Sequence, residues 1–137
     1  MKSILIQIIN NPSEIFTNNP TSLKIFNCTI VNQSSNPIAN FTSGNIKNSI
    51  LYGSSIFGTA DYSNIGSNLS LSGTNIYTIN SGHFLDFASG DYSLSPGSPC
   101  INTGINTISG YTIPETELAG NPRIVDAIVD IGAYEYQ

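Results

Sequence analysis

The feature that most constrains this chain is a repeat. Residues 23–35, LKIFNCTIVNQSS, lie over residues 44–55, GNIKNSILYGSS. The overlay puts Ile25 on Ile46, Asn27 on Asn48, Cys28 on Ser49 and Ile30 on Leu51. The offset is 21 residues, a period at which self-similarity signals stacked repeat units. A third copy, TADYSNIG at 59–66, puts Ala60, Tyr62, Ser63 and Ile65 in matching places, and GTNIYTIN (73–80) and ILIQIINN (4–11) read as further copies. Each copy holds two short apolar pulses separated by a bend, too short for a helix. A strand of three to five residues cannot bury its face and both its edges alone. Stacking pairs each strand with neighbours about 4.8 Å away and aligns Leu23, Ile25 and Ile30 with Ile46 and Leu51 in one apolar column. The expected fold is all-β, a solenoid of short coils.

Composition agrees. Charged residues make up 9% of the chain, against roughly 25% in an average globular protein. Their place is taken by Asn, Ser, Thr and Gly, which with abundant Ile favour strands and turns. At 137 residues one continuous domain is expected, with coils over 1–80 and a closing segment over 81–137. Asn27 and Asn48 fall where the chain must bend. Asn tolerates left-handed backbone there, and its amide suits a ladder from one copy to the next. Both are read as structural.

The net charge is −5, and Lys2, Lys24, Lys47 and Arg123 are the only permanent cations. That excludes the basic face of a nucleic-acid binder and disfavours an anionic membrane surface. Neutral, polyhydroxylated partners such as glycans remain compatible. Residues 1–10 lack the apolar run of about 7–15 and the small-residue cleavage site of a secretory signal, and nothing approaches the roughly 20 apolar residues of a membrane span. Ile4, Ile6 and Ile8 alternate as in a strand, and an open first coil there is a candidate edge for self-association. Cys28 and Cys100 stand far apart without CxxC or His spacing, so no metal site is expected; a disulfide and two buried thiols both remain open.

Two pairs of acids are near in sequence, Glu115 with Glu117 and Asp126 with Asp130; glycoside hydrolysis needs two carboxylates across a cleft, which spacing alone does not exclude. Glu115 and Glu117 read as a solvated loop, and Asp126 and Asp130 as flanks of an apolar hairpin built from Ile124, Val125, Ile128, Val129 and Ile131. His83, the single histidine, has no Cys or Ser partner pattern. No catalytic residue and no cofactor is assigned. Tyr52, Tyr62 and Tyr77 have two open readings, a sugar-stacking surface or lateral packing. Phe84, Phe87, Tyr92 and Leu94 read as closing the end of the apolar column, with Pro96 and Pro99 steering the chain onward.

Two blocks of the second half carry a resemblance. Gly90, Asp91, Tyr92, Leu94, Ser98, Pro99, Ile101 and Gly104 form one. Gly120, Pro122, Arg123 and the run Asp130-Ile131-Gly132-Ala133-Tyr134-Glu135 form the other. Together with NCTIVN, NSILYG and DYSNI upstream, they closely resemble the C-terminal end of bacterial right-handed parallel β-helix proteins, the pectate-lyase-like surface proteins of choice-of-anchor Q type. His83, Asn102 and Leu118–Ala119 depart from that pattern, which often has Pro or Asp there. The resemblance implies a right-handed parallel β-helix with a C-terminal cap and hairpin, on the bacterial surface or outside the cell. It implies structural roles for Asp91, Tyr92, Arg123, Asp130 and Glu135, with Arg123 tied to Asp130 or Glu135. The function expected is that of a non-catalytic structural or adhesive module, with glycans as the candidate ligand. The alternative is a fragment of a polysaccharide lyase or glycoside hydrolase whose active site lies upstream.

Overall fold

A computed structural model describes residues 7–9, 23–32, 39–53, 56–61, 63–66 and 76–137. Among these the fold is all-β, with ten short strands, one 3₁₀ turn at Ser81–His83 and no α-helix. The strands are β1 (Gln7–Ile9), β2 (Leu23–Phe26), β3 (Thr29–Asn32), β4 (Ala39–Lys47), β5 (Ile50–Gly53), β6 (Ile56–Asp61), β7 (Ser63–Gly66), β8 (Ile76–Ile79), β9 (Phe84–Asp86) and β10 (Asp91–Leu94).

From β2 to β7 the chain alternates between two parallel sheets. One has the order β2-β4-β6 and the other β1-β3-β5-β7-β8. The register follows the sequence repeat. Ile25 pairs with Ile46, Ile30 with Leu51, Ile46 with Ala60 and Leu51 with Ile65. Asn27 and Asn48 make the corners from one sheet to the other, each at φ 50°. This is the left-handed region, which short Asn side chains enter at lower cost than most residues. Beside each corner runs a column of small side chains. Ser49 Oγ accepts from Cys28 N at 3.2 Å and donates to Lys47 O at 2.9 Å, while Ser49 N reaches Ser63 Oγ at 3.4 Å.

In β3 and β5, at the middle of the five-stranded sheet, both faces are buried. Ile30 and Leu51 fill one face, and Val31 and Ile50 the other. The second face is where the C-terminal segment lies. Val31, Ile50, Ile79, Phe84, Tyr92, Leu94, Cys100 and Ile131 form a single apolar cluster, with Tyr52 and Phe87 packed against it. Sequence reasoning places Phe84 and Tyr92 at the end of the column. They instead cover the side of the sheet, against residues that alternate with those of the column.

β9 and β10 pair antiparallel and supply the aromatic part of that cover. Phe84, Phe87 and Tyr92 meet at ring-centroid distances of 5.4 to 5.7 Å. Such pairs each add about 0.5–1.5 kcal/mol beyond their buried area.

The hairpin expected over 124–131 does not form, and no strand follows β10 among the described residues. Ile124, Val125 and Ile128 are exposed while Val129 and Ile131 are buried. The reason lies in the hydrogen bonds. The N–H groups of Val125 and Asp130 go to the Glu135 carboxyl and that of Val129 to Asn106 Oδ1, rather than across a ladder. Ala127 at φ 72° turns the chain outward between them.

Candidate functional site: the C-terminal knot and its cleft

A cluster of buried polar side chains lies where residues 117–136 fold back on themselves. Among the described residues Arg123 is the largest fully buried side chain, at 1% exposure. Its guanidinium gathers three main-chain carbonyls, donating from Nη2 to Gly132 O at 2.8 Å and Asp130 O at 3.0 Å, and from Nη1 to Tyr134 O at 3.2 Å. The Glu135 carboxyl stands 3.8 Å from Nη1. Sequence reasoning ties Arg123 to a carboxylate. The shorter contacts are to carbonyls, so the planar fork mainly fixes the path of the backbone from 130 to 134. Its Nε has no partner.

Asp130 and Glu135 are buried beside it. Asp130 accepts from Asn102 N at 2.6 Å and Tyr136 N at 2.7 Å. Glu135 accepts from Asp130 N at 3.1 Å and Val125 N at 3.4 Å. Burial pushes Glu135 up to about 7, with Asp130 adding to the rise, while the N–H of Asp130 and Arg123 oppose it. Burial also raises Asp130, against the N–H groups of Asn102 and Tyr136 and the charge of Arg123. Burial lowers Arg123, against the pull of Glu135 and Asp130.

Glu117 is the residue sequence reasoning missed. It belongs to no solvated loop: it is 3% exposed, while Glu115 is exposed. Its carboxylate accepts from Ala119 N at 2.8 Å and from both Asn121 N and Asn121 Nδ2 at 2.9 Å. The available signal was Asn121 four residues on in a turn-forming run, since a buried acid at a turn needs such N–H donors. Glu117 and Glu135 line a shallow cleft of about 290 Å³ together with Leu85, Leu94, Tyr134 and Tyr136. The oxygens of both acids are taken by main-chain N–H groups.

No family model, curated protein or solved structure matches the chain. The remaining residues named from the sequence are therefore described by geometry alone. Asp91 Oδ1 accepts from Ser93 N at 3.0 Å within β10. Tyr92 is buried edge-on to Phe84 and Phe87. Tyr52 is half-buried, its ring edge-on to Phe87 at 5.0 Å and to Phe84 at 6.4 Å. Tyr62 lies outside the described residues. So does the side chain of Tyr77, whose backbone belongs to β8. The structure therefore gathers Arg123, Asp130 and Glu135, and separately Tyr52 and Tyr92.

Asn27 and Asn48 form no ladder with each other. Their amides turn to the C-terminal segment, Asn27 to the Tyr111 hydroxyl at 3.0 Å and Asn48 to Ile105. Asp126 reaches Asn102 Nδ2 at 3.5 Å and is exposed. His83 accepts from Asn80 N through Nδ1 at 3.2 Å in the 3₁₀ turn. Among the described residues, no three His, Cys, Asp or Glu side chains gather as metal ligands, and no helix is long and apolar enough to cross a membrane.

Proposed function

We propose that the chain is a non-catalytic structural end-module, the last coils and side cover of a right-handed parallel β-helix in an exported bacterial surface protein. One observation carries the reading. From β2 to β7 the strands alternate between two parallel sheets in a register that follows the sequence repeat, and residues of the resembling tail blocks pack on one of those sheets. The acids also support it. Asp130, Glu135 and Glu117 spend their oxygens on N–H groups of the tail itself. This is how carboxylates brace a loop.

The test is an assay of the purified, folded chain on pectin and other uronic-acid polymers, read by the absorbance of unsaturated products, alongside a glycan array and light scattering. No turnover and no glycan bound is the expected result. Turnover by the chain alone would overturn the reading. Binding to a defined glycan would shift the role from scaffold to adhesion, and growth of mass with concentration would assign self-association to an open sheet edge.

A further inference from the structure

We propose that the C-terminal segment is a proton-dependent latch, closed on the five-stranded sheet while Asp130 and Glu135 share one proton beside Arg123 and loosened when that proton leaves. The charge count of the knot motivates it. One buried cation, Arg123, stands beside two buried carboxyl groups, Asp130 and Glu135, while the buried Glu117 carboxylate also acts on it, each residue at 6% exposure or less. With both acids ionised the cluster would hold an unbalanced negative charge away from water, which is costly.

Geometry decides which acid keeps the proton. Asp130 is held by two N–H groups at 2.6 and 2.7 Å. Glu135 has only longer contacts, at 3.1, 3.4 and 3.8 Å. Asp130 is therefore the anion and Glu135 the acid. The surroundings do not reverse this. Arg123 and Asp130 act on Glu135, Asp126 acts on Asp130, Glu117 and Tyr111 act on Arg123, and Asp91 and Glu117 act on the neighbouring Tyr134. Arg123 is the only cation among these groups.

The knot is coupled to the sheet by position. The residues that anchor the tail lie between the two acids, Gly132 and Ala133 to the coil region and Ile131 to Cys100 within the C-terminal segment. Ile131 N donates to Cys100 O at 2.9 Å, Gly132 N to Asn48 O at 2.8 Å, and Ala133 N to Thr29 Oγ1 at 2.9 Å. Repulsion between residues 130 and 135 therefore acts on the anchors. Glu135 rises from 4.5 to about 7 on folding. A group raised in the folded state contributes its full stabilisation below its unfolded value and loses it as pH climbs through the folded one. The latch is tightest in mild acid and slackens through neutrality.

Thermal unfolding of the full chain and of Glu135→Gln, from about pH 5 to about pH 8, tests this. The native chain should lose roughly 5 °C or more across that range, and Glu135→Gln, fixed in the neutral form, less than about a third as much. Equal slopes in the two proteins would overturn the proposal. Should Glu135→Gln not fold, carbon-detected NMR titration of the native Glu135 carboxyl decides: a midpoint above about 5.5 supports the latch and one below it overturns it. Exchange of the Gly132 and Ala133 amides, corrected for intrinsic rate, should also quicken at the higher pH. A merely structural Glu135 would leave it unchanged.

Discussion

Asn48 grips Ile105 by both its main-chain N–H and its main-chain carbonyl. Asn48 Nδ2 donates to Ile105 O at 2.9 Å and Asn48 Oδ1 accepts from Ile105 N at 2.8 Å, across 57 residues of sequence. The corner that passes the chain between sheets thus also ties down the covering segment. The backbone at Asn48 is left-handed, so the same residue satisfies a strained bend and a long-range pairing.

Asn48→Ala should therefore destabilise twice over, through left-handed strain and through a main-chain N–H and C=O left without partners. The expected loss is about 3 kcal/mol in urea unfolding. Asn48→Gly removes the bonds but not the conformational fit, and should lose about 1 kcal/mol less. Equal losses would mean that the bend contributes nothing.

Gly132 shows how closely the tail approaches the sheet. A Cβ there would stand 2.8 Å from Ile50 Cδ1 and 2.9 Å from Thr29 Oγ1, at φ +115°. Gly90 has a comparable φ of +84° but nothing within 4 Å of a Cβ. Gly132→Ala should cost about 3 kcal/mol or more, and Gly90→Ala about 1 kcal/mol from backbone strain alone. The difference between the two, measured by chemical denaturation, isolates the steric term.

The repeat was legible because its physics is local and periodic. Aligning Ala60 and Ile65 with the earlier copies gives the observed register. The side cover was partly written in the sequence too. In β3 and β5, Val31 and Ile50 alternate with Ile30 and Leu51, so both strand faces are apolar, the mark of a sheet buried on both sides. Reading only one face as the core sent Phe84 and Tyr92 to the end of the column instead. The path of 118–137 was not legible. Its apolar run suggests a hairpin, but the chain follows Arg123 and Glu135, whose hydrogen-bond partners are main-chain groups that no spacing rule reveals, and Glu117, for which Asn121 was the one signal.

Arg123 tests that account. Its fork spans the carbonyls of Asp130, Gly132 and Tyr134. Arg123→Lys keeps the charge but offers one compact ammonium, so it should lose about 3 kcal/mol despite being conservative. Arg123→Met, which leaves the buried acids without a cation, should lose at least as much, and both acids should then keep their protons to higher pH, since the charge of Arg123 lowers both in the native chain. Amide exchange of residues 130–135 at two pH values reads this directly.

Glu115 and Glu117 make the sharpest pair of neighbours. Glu115 is exposed, whereas Glu117 is buried and receives three N–H donors from two residues. A glutamine at 117 keeps one accepting oxygen and turns an NH2 group towards a main-chain N–H. Glu117→Gln should therefore cost about 2 kcal/mol, while Glu115→Gln should change stability by no more than about 0.5 kcal/mol. Parallel urea curves for the two variants, with equal slopes, measure the difference. Matching midpoints would place Glu117 in a solvated loop after all and remove one wall of the cleft beside Tyr134.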